Sequence, residues 1–80
     1  MKVCLKVPLN EFECARRNAL SEKPPHLVLQ EGTMGTLVEI FDNGESYMVE
    51  FDDQETGRCL WLGLLRLTEI KIMPDVAQAA

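Results

Sequence analysis

Thr36-Leu37-Val38-Glu39-Ile40-Phe41-Asp42-Asn43-Gly44-Glu45-Ser46-Tyr47-Met48-Val49-Glu50-Phe51 is the stretch on which the fold turns. Its first six residues are rich in β-branched and aromatic side chains. Asn43-Gly44 then stands between two strand-like runs, which is the strongest short hairpin signal a sequence carries. On the second arm Tyr47, Val49 and Phe51 fall on one face, with Met48, Glu50 and Asp52 on the other. Side chains alternate along a strand, so the first set is the predicted core face.

Downstream, Asp52 to Gly57 reads as a polar turn and Arg58-Cys59-Leu60-Trp61-Leu62 as the next strand, with both faces apolar. Leu65, Leu67, Ile70 and Ile72 follow with one irregular step, which predicts a bulge or a brief 3₁₀ turn before a last strand. Upstream, Gln30 to Gly35 is a turn in which Gly32 and Gly35 permit positive backbone angles and close chain approach. His26-Leu27-Val28-Leu29 leads into it. Nearer the start, Val3, Leu5, Val7 and Leu9 alternate and predict a strand over 2–7. Asn10 with Glu13 forms a capping pair for a helix over 11–20, with Phe12, Ala15, Ala19 and Leu20 on its apolar side and Ser21 to Pro25 ending it. Five to six short strands with one inserted helix give a mainly β class and a small antiparallel barrel over residues 1–73, with 74–80 as a frayed tail.

Two motifs carry a resemblance: Gly32-Thr33-Met34-Gly35-Thr36-Leu37-Val38-Glu39 and Tyr47-Met48-Val49-Glu50-Phe51. With the polar turn and leucine-rich strand after them, they resemble a bacterial family of small SH3-like barrel domains of unknown function. The likeness covers roughly residues 26–67 and, more loosely, 3–9. It implies an SH3-like barrel and brings no catalytic residues with it.

The chain has 80 residues, 46% hydrophobic and 26% charged, so only one small core fits. Its formal charge is -5, from 8 basic and 13 acidic residues. That sign argues against nucleic acid, whose phosphates reward Lys and Arg. The acidity is local: residues 39–55 hold seven acids and no base. Cys4, Cys14 and Cys59 are an odd number without a C-x-x-C pair, and no apolar run marks a signal or membrane segment, which predicts the reducing cytoplasm. Cys4 and Cys59 read as small core residues and Cys14 as an exposed helix thiol. One His and scattered Cys predict no metal centre, and the glycines lead into a strand rather than a phosphate-binding helix. No cofactor, catalytic constellation or small-molecule substrate is expected; His26 reads as a turn residue.

Two surfaces remain as candidates. Leu60, Leu62 and Leu64 are expected on the face opposite Cys59 and Trp61, and a barrel this small has interior room for one set only. Trp61 itself reads either as core or as a groove aromatic. Leu60, Trp61, Leu62 and Leu64 are therefore the candidate protein interface, implying a non-catalytic interaction module that forms a homodimer or binds a protein partner. Glu39, Asp42, Glu45, Glu50, Asp52, Asp53 and Glu55 form a candidate acidic patch, and the alternative reading is an immunity- or antitoxin-type protein that neutralises a basic partner through residues 39–55.

Overall fold

The computed structural model describes residues 1–20 and 26–73. The predicted helix end at Ser21 to Pro25 and the tail from 74 lie outside them. Five antiparallel strands form one sheet: β1 (Lys2–Leu5), β2 (Met34–Phe41), β3 (Ser46–Asp52), β4 (Cys59–Arg66) and β5 (Ile70–Met73), in the order β4-β3-β2-β1-β5. One helix, α1 (Glu11–Arg17), lies between β1 and β2. The chain is thus mainly β, as its alternation requires. The hydrogen-bonded order ends at β4 on one side and β5 on the other, so the sheet is open.

The predicted hairpin is β2–β3, paired from Phe41↔Ser46 to Thr36↔Glu50 with a bulge between Leu37 and Glu39. Its turn is not a two-residue one. Asp42, Asn43 and Gly44 all take positive φ, and Glu45 N–H reaches back to the carbonyls of Phe41 and Asp42, each at 3.2 Å. Tyr47, Val49 and Phe51 point inward as the alternation demands and join Val3, Leu5, Leu9, Cys14, Leu29, Trp61, Leu65 and Ile70 in the core. The two turn glycines divide the work expected of them. Gly32 supplies a φ of 92°, whereas a Cβ on Gly35 would stand 2.8 Å from the Phe51 ring. The irregular step after Leu65 is a 3₁₀ turn at Leu67–Glu69.

Three expectations near the N-terminus are corrected. β1 stops at Leu5, after which Val7 is exposed while Leu9 is buried and bridges Leu29. The helix is seven residues, capped by the Asn10 side chain on Glu13 N–H. It ends at Arg17 because Asn18 turns extended and pairs with Gly63, and Ala19 N–H bonds the Leu62 carbonyl. Its buried residue is Cys14, and Phe12 is 69% exposed. Two turns of helix can present only a narrow stripe to the sheet, and the stripe chosen is the one that lets the Cys14 carbonyl accept the Trp61 indole N–H at 2.8 Å. The expected apolar side with Phe12 and Ala15 faces solvent instead.

Candidate functional site

β4 has two faces, and the hairpin with β3 decides what each carries. From Ser46↔Arg66 to Phe51↔Trp61 the pairing is regular, so Trp61, Gly63 and Leu65 share the inner face with Phe51, Val49 and Tyr47. Trp61 is fully buried and tilted against Phe51 at a ring separation of 5.7 Å. It is core, and of the four candidate interface residues it is the one withdrawn from the surface. Gly63 lets the end of α1 approach: a Cβ there would sit 2.5 Å from the Arg17 carbonyl oxygen and 2.7 Å from the Trp61 ring.

The outer face holds Leu62 and Leu64 opposite Glu50 and Met48. Leu60 and Leu62 are half-buried and Leu64 is 44% exposed. α1 packs against Trp61 and Gly63 on the inner face, and Arg16 and Arg17 at its end line a cleft with Leu64.

Between Phe51 and Asp52 the register slips by one residue, so that Asp52 pairs with Cys59 and Leu60 is the extra residue of a bulge. The slip corrects the placement of Cys59, which was expected beside Trp61. Directly paired residues share a face, so Cys59 lies with Asp52 and Glu50 on the outer side. The turn that sets this register is tied by Asp53: its N–H bonds the Arg58 carbonyl, its carbonyl accepts Gly57 N–H and its Oδ1 accepts Glu55 N–H, each at 2.8 Å. Asp53 is thus occupied in the turn.

The ligand atoms of Glu50, Asp52 and Cys59 all stand within 4.8 Å of one another, and the three residues are half-buried. Burial pushes the Cys59 thiol up, and the Glu50 carboxylate pushes it further. Asp52 Oδ1 exposes under 1 Å² and has no hydrogen-bond partner. Such an orphaned acceptor costs about 1–3 kcal/mol. These residues could hold a cation. Single-residue alternation had put Cys59 on the wrong side, and the only available signal was the turn chemistry of Asp53 to Gly57.

The seven acids do not form one surface. Asp42 and Glu45 belong to the β2–β3 turn, whereas Glu50, Asp52, Asp53 and Glu55 gather at the far end of β3. A seven-residue strand separates the two groups by about 20 Å at ~3.3 Å per residue. Glu39 is exposed opposite Met48.

A third feature is a cleft of about 620 Å³ at the other end of β4, lined by Arg16, Arg17, Arg66, Ser46, Thr68 and Glu69 among others. Its charges are largely satisfied within the chain. Arg17 grips Glu69 with both terminal nitrogens, at 2.8 and 3.0 Å, and Glu13 holds Arg16 and Arg17. The Arg17 guanidinium holds the Glu69 carboxyl below its usual range. The 3₁₀ turn is fixed further where Glu69 accepts Arg66 N–H through its side chain and Lys6 N–H through its carbonyl. The cleft is in the main a structural latch between α1 and the start of β5.

Cys4, Cys14 and Cys59 are all free thiols. Cys14 is buried, contrary to its expected exposure, and donates to the Leu9 carbonyl, its thiol pushed up by desolvation. His26 is exposed, with its ring 3.3 Å from Glu11. No helix among the described residues is long and apolar enough to cross a membrane. No protein-family model, curated protein or solved structure matches the chain.

Proposed function

We propose that the protein is a non-catalytic interaction module, an SH3-like barrel that self-associates through the outer face of β3 and β4. The observation that carries this reading is the apolar side of β4 turned away from the core, where Leu64 is 44% exposed beside Met48 and Leu60 and Leu62 are half-buried. Apolar contiguity of this kind on a small protein marks a contact surface. The SH3-like reading is supported by the return of β5 to β1, by the bulges that bend β2 and β4, and by the 3₁₀ turn that links β4 to β5.

The test is solution mass by light scattering across protein concentrations, at low and high salt. A salt-insensitive dimer that Leu64→Glu converts to a monomer is the expected result. A wild-type chain that stays monomeric throughout, or a dimer indifferent to Leu64→Glu, overturns self-association by this face. A second reading, neutralisation of a basic protein, draws on the crowding of Glu50, Asp52, Asp53 and Glu55 at one end of the hairpin. Capture of such a partner would weaken steeply with added salt, and binding that salt leaves unchanged would exclude it.

A further inference from the structure

We infer that Glu50, Asp52 and Cys59 form a binding site for a thiophilic divalent cation of the zinc class. Three observations carry it. The donor set is mixed, two carboxylates and one thiol, with all ligand atoms within 4.8 Å of one another. Asp52 Oδ1 is buried without a hydrogen-bond partner, which is rare for a carboxylate oxygen with two lone pairs to offer. The bulge between Phe51 and Asp52 is what turns Cys59 toward the two acids, and bulges recur where a strand must re-aim a side chain at a site.

Charge points the same way. Among the described residues no ion pair involves Glu50 or Asp52, so the two acids sit together half-buried with no basic side chain to offset them. A cation would supply that compensation at a carboxylate one of whose oxygens, Oδ1, is buried without a partner. Bond lengths of about 2.0–2.3 Å to zinc place tetrahedral donors roughly 3.3–3.7 Å apart, so closure asks for side-chain movements of about an ångström. Calcium and magnesium fit poorly: they take six or more oxygen ligands, and a thiolate favours zinc or another soft ion. Three protein ligands leave a fourth position to water. On binding, the Cys59 thiol gives up its proton to solvent as the metal–sulfur bond forms, and its present hydrogen bond to the Trp61 carbonyl, at 3.5 Å, is released. No electron moves.

Titration of the whole chain with Co²⁺ under a non-thiol reductant tests the site. A thiolate-to-cobalt charge-transfer band that saturates at one equivalent and is displaced by Zn²⁺ is expected. Cys59→Ser should abolish the band, Asp52→Asn should weaken binding by about tenfold or more, and Cys4→Ser should leave it intact. Amide chemical-shift changes on adding Zn²⁺ to the unaltered protein should centre on residues 50–60, a readout that needs no variant to fold. Absence of the band, its persistence in Cys59→Ser, its loss in Cys4→Ser, or shift changes centred elsewhere would each overturn the site.

Discussion

The inner and outer faces of β4 are built from alternate residues of one eight-residue strand, yet they answer to different demands. The inner face, Trp61, Gly63 and Leu65, is closed: Phe51 lies tilted against the indole, the Cys14 carbonyl takes its N–H, and the backbone of Arg17 rests where a Gly63 side chain would be. The outer face, with Leu62 and Leu64, has neighbours within the sheet, yet Leu64 is 44% exposed and Leu62 half-buried. The difference teaches which residues hold the fold and which remain available to something else. Apolarity alone did not separate them; the register of β4 against β3 did.

Trp61→Ala should break the comparison most severely. Removing a fully buried indole that also holds a hydrogen bond costs about 3–5 kcal/mol, a large share of what a domain of this size possesses. Urea unfolding should show the transition moved to much lower denaturant or lost. A variant that unfolds within 1 kcal/mol of the parent, by the scale of ordinary surface changes, would mean that the inner face is not the core described.

Glu69→Gln should have an intermediate effect, about 1–2 kcal/mol at neutral pH, since it weakens a charge-assisted pair whose two side chains are 18% and 19% exposed. The sign of its pH dependence follows from linkage. The folded state holds the Glu69 carboxyl below its ordinary value of 4.5, chiefly through Arg17. The unfolded chain therefore takes up the proton first as pH falls, so this stabilisation is whole above that value and lost below it. Unfolding free energies measured between neutral and acidic pH should thus fall less steeply in the glutamine variant. Equal slopes would show that Arg17 and Glu69 do not interact in solution.

Leu64→Glu should change the stability of the monomer least, within about 0.5 kcal/mol when both chains are compared at a concentration too low for association, because its side chain is already 44% exposed. The same substitution is the one expected to change mass in light scattering. A large loss of stability by thermal unfolding at that low concentration would transfer Leu64 from the available face to the structural one, and the contrast between the two faces would narrow to Leu62.

The alternation of Tyr47, Val49 and Phe51 and the Asn-Gly turn made the β2–β3 hairpin legible in the sequence, because both signals are local and every residue in them agrees with the sheet. The 3₁₀ turn before β5 was legible as a broken period. Three things were not. The choice of Cys14 over Phe12 depends on where Trp61 presents its N–H, 47 residues away. The Arg17 and Glu69 pair is joined across 52 positions that no spacing rule connects. The placement of Cys59 rests on a one-residue slip that reverses sidedness while leaving composition unchanged. Of the candidate surfaces, Leu62 and Leu64 lie on the outer face, Trp61 was read two ways and lies in the core, and of the acids read as one run Asp42 and Glu45 stand at one end of β3 and Glu50, Asp52, Asp53 and Glu55 at the other.

Asn18 and Ala19 have a consequence beyond the termination of α1. By bonding to Gly63 and Leu62 they occupy backbone groups on the edge of β4 that would otherwise template a foreign strand. The chain is in this sense its own gatekeeper against fibril-like growth. During refolding, any species with β3 and β4 paired but this segment still undocked carries a bare, leucine-rich border. Yield on dilution from denaturant should therefore decline as protein concentration rises, long before the finished molecule shows any tendency to precipitate.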